Sequence, residues 1–289
     1  MKGAFFTQLC SALSGPQPRA DLHTHTDFSD GDLSPEELVL SAVRNQISAL
    51  SITDHDTTAA IPRAKQAIAA HRFQLKLVHG VEITCEIAER EFHLLAYGFE
   101  LGNMTLQSSL YRLREGRFAR LQEMIAALIK LGVSSELDLL TRNPPAEQSW
   151  GRRHLAQALV NLKASRDLYH AFQHWLNRPE VNRIPKIRLA LEEAISIVRQ
   201  AGGIPILAHP PEDLDENFFA LWKQRGLMGL ECDYPWPSRS RSKILKNIAS
   251  QLGLLATGGS DFHSTHSPRR AVGMRTVSTS ILKHFESGS

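Results

Sequence analysis

Cysteine is scarce in this chain. Cys10, Cys85 and Cys232 form an odd set with no CxxC spacing, which argues against a disulfide framework and against a thiolate zinc site. Any metal must therefore be held by nitrogen and oxygen. No apolar run approaches the length of a membrane span, and no membrane partner is expected. The first residues carry one Lys and two Phe and then turn polar at Ser14-Gly15-Pro16. They lack the sustained apolar stretch of a signal peptide, so a cytoplasmic location is expected. A dominant charge is missing too, with 33 Lys plus Arg against 30 Asp plus Glu. That balance tolerates an anionic substrate without announcing a nucleic-acid binder. Internal repeats and low-complexity tracts are absent, and no obligate protein partner is implied.

What is present is a soluble-protein composition, 289 residues with 42% apolar and 22% charged. That suffices for one large α/β domain or a domain with an insert. Thirteen His stand out. Ala20 to His23 reads as a short buried strand. Ser34-Pro35-Glu36-Glu37 opens a helix, with Ser34 as cap, Pro35 in the first turn and Glu37 completing a capping box. Strands are expected at 47–53, 75–81, 92–97, 204–208, 227–232 and 254–257, with a last one within 271–277. Helices are expected between most of them, at 57–71, 189–200, 218–223 and 243–251. This alternation predicts an α/β fold with a parallel sheet, open or closed into a barrel. Between 101 and 185 strands are hard to find. A long Arg-rich helix at 111–131, stopped by Gly132, and shorter ones near 152–162 and 167–176 read as a helical insert. The expected organisation is a lead-in at 1–18, the barrel's first part at 19–100, the insert at 101–185 and the barrel's second part at 186–289.

The polar clusters mostly fall just after expected strands. His23 and His25 follow the first, with Asp27 and Asp30 close behind. Asp54, His55 and Asp56 follow the second, Glu82 the third, His209 a later one, and Asp261 and His263 the strand at 254–257. His93 lies early in its own strand. In parallel barrels the reactive groups gather at the strand C-termini, so these residues would converge. Residues two apart in an extended segment point the same way, so His23 with His25, or Asp261 with His263, can face one cation. Glu82 has two oxygens and can bridge two ions. Imidazole with carboxylate suits zinc, manganese or iron. The number of donors suggests two or three metals, an arrangement that activates a hydroxide and clamps a phosphoryl group. Ser34 is explained by capping, and Asp30 before Gly31 also makes a turn pair. His71, His79, His170, His174, His266 and His284 show no patterned partners.

Asp21-Leu22-His23-Thr24-His25-Thr26 with Ser29-Asp30-Gly31 resembles the first motif of the polymerase and histidinol phosphatase (PHP) family. Ile52-Thr53-Asp54-His55-Asp56 is similar to the second, and Gly80-Val81-Glu82 with His93 to the middle ligands. Ala208-His209-Pro210 and Gly259-Ser260-Asp261-Phe262-His263 match the last two. The resemblance implies a distorted seven-stranded (β/α) barrel with three divalent cations, manganese foremost, with iron or zinc as alternatives. It implies one metal on His23, His25, Glu82 and Asp261, a second on Glu82, His93 and His209, and a third on Asp30, His55 and His263.

Within the insert, Gly151-Arg152-Arg153-His154 and Ile184-Pro185-Lys186 resemble a bacterial subgroup. It includes 3′,5′-nucleotide bisphosphate phosphatases and RNase AM, a 5′-to-3′ exoribonuclease. The likeness implies a substrate with a phosphorylated nucleotide or short RNA 5′ end, and it places Arg152, His154 and Lys186 against the phosphate. Guanidinium and ammonium groups suit that task, although the same residues also fit a solvated helix face. Three departures fall where substrate shape is read. Arg153 replaces the subgroup's Pro, other residues follow the Tyr-Pro pair of Glu231 to Ser238, and Ser264 stands for Gly. The chemistry expected is in-line attack on phosphorus by a metal-bridging hydroxide. Asp54 or Asp56 would orient a ligand His, and His209 or His154 would protonate the leaving group. Rival readings are histidinol phosphatase, a cyclic phosphate hydrolase, an amidohydrolase, which also begins with HxH, and a non-catalytic metal-binding scaffold.

Overall fold

The computed structural model describes residues 18–145 and 147–285. The expected lead-in therefore lies almost wholly outside the described residues. Nine strands form one sheet: β1 (Arg19–Asp21), β2 (Ala49–Ile52), β3 (Lys76–Ile87), β4 (Arg90–Tyr97), β5 (Leu189–Ala190), β6 (Ile204–Leu207), β7 (Gly229–Asp233), β8 (Leu255–Gly258) and β9 (Val277–Ser278). Their order is β8-β7-β6-β4-β3-β2-β1-β9, with β5 beside β3. At their C-terminal ends β1 and β8 meet. Leu22 N–H donates to Gly258 O at 3.3 Å and His25 N–H to Phe262 O at 2.9 Å. Setting aside the two-residue strands β5 and β9, seven strands thus close on themselves, as expected. Gly259 permits the closure, because a Cβ there would run into the backbone and Cβ of His23.

The sheet is not all parallel. β4 pairs antiparallel with both β3 and β6, and β9 pairs antiparallel with β1. β3 runs six residues past the expected end and turns back into β4 through Ala88 and Glu89, both at positive φ (48° and 65°). Glu82 therefore lies inside a strand rather than after one. The strand expected within 271–277 shrinks to Val277–Ser278.

Helices cover the barrel. α1 (Pro35–Arg44) starts as expected, with the Ser34 side chain and Glu37 forming a reciprocal capping box. α2 (Ala60–His71) carries Pro62 in its first turn, where a missing N–H costs nothing. α3 (Met104–Lys130) begins earlier than expected, capped by Asn103, which accepts from Leu106 N–H. α4 (Arg152–Asn161) follows in the insert; α5 (Leu191–Gln200), α6 (Glu216–Gln224) and α7 (Arg239–Leu252) return to the barrel.

The two halves of α3 serve two cores. Leu106, Leu110 and Leu113 pack with Val81, Ile83, Leu94 and Leu191 of the barrel wall. Leu121, Met124, Ile125 and Leu128 pack with Leu155, Leu159, Leu176 and Val181 of the insert. Truncating one such buried Leu to Ala costs about 2–5 kcal/mol, so the insert is held by its own core on a helix rooted in the barrel. Inside the barrel, Leu22, Ala49, Leu95, Tyr97 and Ile206 fill the space, and Leu282 and Phe285 pack into the same cluster. Among the described residues no helix is long and apolar enough to cross a membrane.

Candidate metal centre

The expected ligands come together at one end of the barrel, most of them just after strand C-termini, Glu82 within β3 and His93 early in the antiparallel β4. Backbone geometry aims several of them. Asp261 sits at φ 47° and His209 at φ 25°, conformations that L-residues adopt only where the surroundings hold them. Around Glu82 Oε2 lie His23 Nε2 at 3.4 Å, His25 Nε2 at 3.3 Å and His55 Nδ1 at 3.0 Å. Around Glu82 Oε1 lie His93 Nδ1 at 2.9 Å and His209 Nε2 at 3.0 Å. Asp261 Oδ1 is 3.5 Å from His23 Nε2, 3.4 Å from His25 Nε2 and 3.3 Å from His263 Nδ1. Asp30 Oδ1 is 3.3 Å from His263 Nε2 and 3.8 Å from His55 Nε2.

These spacings fit cations. His23 Nε2, His25 Nε2, His55 Nδ1, Asp30 Oδ1 and Glu82 Oε2 are buried with no hydrogen-bond partner, a costly state for polar atoms unless another ligand satisfies them. Donors about 2.1 Å from one ion in a tetrahedral shell lie about 3.4 Å apart. His23, His25, Glu82 and Asp261 make four contacts of 3.3–3.5 Å with one another. Three groups could each hold an ion: His25, Asp30, His55 and His263; His23, His25 and Asp261; and His55, Glu82 and His93. His25 and His55 thus stand between groups that the resemblance had kept separate.

Against the pull of burial, the carboxylates make this a site that favours positive charge, raising His23 and His93. Burial works against ionising Glu82, but the imidazoles of His55, His93 and His23 outweigh it and hold its carboxyl well below the ordinary range. Burial pushes His55 well below its ordinary value, toward the neutral imidazole that coordination requires. Burial also pulls His25 down, yet the carboxylates of Asp261 and Glu82 override it and raise it to about 9. A cation on that nitrogen would displace the proton.

Residues outside the expected set support the donors. Glu231, fully buried on β7, takes His23 Nδ1 at 2.9 Å through one oxygen and His209 N–H at 2.7 Å through the other. It lies inside its strand, as Glu82 lies inside β3. Glu91 lies 3.2 Å from His93 Nε2 and accepts from Lys186 Nζ at 2.7 Å and Arg188 Nε at 2.9 Å. Arg270 reaches His263 Nδ1 at 3.1 Å.

Two expectations change. Asp54 and Asp56 make no hydrogen bond to a histidine among the described residues. Asp54 accepts from Thr26 N–H at 2.7 Å and from the hydroxyls of Thr26 and Ser29 at 2.5 Å. It thereby fixes the loop that carries Asp30 and reaches a ligand histidine indirectly, since the same Ser29 hydroxyl lies 3.4 Å from His25 Nδ1. Asp56 accepts from Thr84 N–H at 2.7 Å and from Arg117 Nε at 2.6 Å, tying α3 to β3. His154 does not line the cleft. Its Nδ1 accepts from Gly151 N–H at 3.0 Å, and its Nε2 lies 3.2 Å from Gln148 Nε2. It is occupied in shaping the insert. Arg152 and Lys186 do line a cleft of about 200 Å³, with Asp30, His55 and His93 on one wall and Arg117, Arg120 and Arg153 among the others.

Comparison with known proteins agrees with this geometry. The model of the PHP domain matches residues 21–202. The 5′-3′ exoribonuclease Rnm of Salmonella typhimurium is 32% identical over 84% of each chain. The 3′,5′-nucleoside bisphosphate phosphatase of Chromobacterium violaceum is 30% identical over 88% of this chain and 90% of its own. A solved structure from Bifidobacterium adolescentis, assigned to the metal-dependent phosphoesterases, superposes with a TM-score of 0.84 at 28% identity, covering 94% of this chain and 96% of that one. With seven strands closed around a cluster of imidazoles and carboxylates, the chain belongs to the PHP domain family and is a metal-dependent phosphoesterase.

Proposed function

We propose that the chain hydrolyses phosphate esters of nucleotides that carry a second, terminal phosphate, namely 3′,5′-nucleoside bisphosphates and short RNA with a 5′-phosphate. One observation carries this reading. A single cleft joins the donor cluster, at Asp30, His55 and His93, to the cations of Arg152, Arg120 and Lys186. A phosphate seated among those cations leaves a neighbouring phosphoester over the cluster. The relatives named as an exoribonuclease and a bisphosphate phosphatase support the same choice.

Within this proposal His23, His25, Asp30, His55, Glu82, His93, His209, Asp261 and His263 hold three divalent cations, manganese foremost, with iron or zinc as alternatives. Such ions lower the pKa of water and offset charge growing on phosphoryl oxygens. The chain's own residues do the rest. Glu231 fixes His23 and His209, and Asp54 holds the Asp30 loop through Thr26 and Ser29. Arg152 and Lys186 bind the terminal phosphate. Arg117, already paired with Asp56 at 2.6 Å, braces the cleft wall. The insert limits entry to chain ends.

The test is a substrate panel with manganese, comparing adenosine 3′,5′-bisphosphate, 5′-phosphorylated and 5′-hydroxyl short RNAs, and histidinol phosphate. Turnover of the first two, with the 5′-hydroxyl RNA spared, is the expected outcome. Turnover of histidinol phosphate alone would refute the reading.

A further inference from the structure

One conspicuous feature beside the cluster takes no part in the reading above. Trp236 is 53% exposed, and the guanidinium carbon of Arg270 lies 3.7 Å from its ring centroid. The other cations stacked on rings among the described residues lie at 5.0 Å or more. Arg270 also reaches the donor set, with Nη1 3.1 Å from His263 Nδ1 and Nη2 3.6 Å from Asp261 Oδ2. The indole therefore stands one guanidinium away from two candidate ligands.

Its presentation is fixed. Pro235 and Pro237 flank it, which narrows the backbone on both sides. The preceding Tyr234 is buried, and its hydroxyl donates to Pro210 O at 2.8 Å, next to His209. One face of the ring is covered by Arg270 while much of its surface remains open. Neither Trp236 nor Arg270 lines the cleft of Arg152 and Lys186. They border the cluster from the side of Asp261 and His263.

We infer that Trp236, backed by Arg270, is a stacking platform for the base of the next nucleotide, the one on the far side of the scissile phosphate from the terminal phosphate. This rests on the nucleotide reading above and extends it. Every base has a π-face, so such a platform binds without demanding a sequence. A neighbouring cation adds to the attraction of a π-system. The consequence is a preference for substrates that continue past the cleaved bond.

The test crosses two changes. Substrates are 5′-phosphorylated dinucleotides whose second nucleotide either carries adenine or is abasic, assayed with manganese on the full chain. Removing the base costs the wild type about 10-fold in kcat/KM, chiefly through KM. It costs Trp236→Ala less than twofold, while Trp236→Phe, which keeps a ring, retains most of the dependence. A base effect that is equal in wild type and Trp236→Ala, or absent from the wild type, overturns the platform while the phosphoesterase reading stands. A wild type that cleaves neither dinucleotide nor adenosine 3′,5′-bisphosphate defeats the nucleotide reading itself.

Discussion

At the scale of single residues, the centre depends on groups that would not touch the metal. Glu231 spends both oxygens, one on the His23 ring and one on the His209 backbone. Glu231→Gln keeps the size but puts an amide where one of these donors points. A loss of about 10–100-fold in metal affinity is expected, measured by chelator competition, with the fold intact by circular dichroism. Lys186 gives a pH prediction. Burial, helped by Arg117, pulls its pKa down to about 8 against the pull of Glu91. Its charge is present below that value and lost above it, so KM for a phosphate-ended substrate should rise as pH passes about 8. Lys186→Arg stays charged, and its KM should remain flat to higher pH. A wild-type KM that ignores pH between 7 and 9 would contradict this.

At the scale of elements, the insert is latched to the metal loop. Asp32 receives Arg153 Nη2 at 2.6 Å on one oxygen and the Ser264 hydroxyl at 2.5 Å on the other. These are two of the positions where the sequence departs from the subgroup it resembles, and they meet on one carboxylate. Asp32→Ala should change stability by no more than about 1 kcal/mol, since the pair is partly exposed, which is about 2–4 °C in Tm. It should raise KM and speed proteolysis within the insert. Elements with strong local rules were legible in advance, including the capping box of α1 and the apolar runs of β2 and β6. The β3–β4 hairpin was not. Its turn residues, Ala88 and Glu89, both adopt positive φ, where Asn-Gly or Asp-Gly would normally announce the bend. The donors were legible because HxH and DxH spacings survive in extended chain. Glu231 and Arg270 were not singled out, since one acid within a strand and one Arg in a short 3-10 turn have no pattern until the barrel brings them in.

At the scale of the whole molecule, the cluster concentrates buried imidazoles and carboxylates that only the folded barrel assembles. Ligands that bind only the folded state stabilise it, by about 2.7 kcal/mol at 100 times Kd. Stripping the protein with a chelator should therefore abolish activity and lower Tm by several degrees, and manganese should restore both. A Tm unmoved by chelation and reloading would argue against occupied sites in the starting protein.

The seam where Leu22 and His25 bond to Gly258 and Phe262 has a consequence for how the molecule comes into being. Nearly the whole barrel separates His23 and His25 in sequence from their partner Asp261. Until β8 docks, the ring stays open and the donor set is incomplete. Completion of the donor set and closure of the barrel are therefore one event.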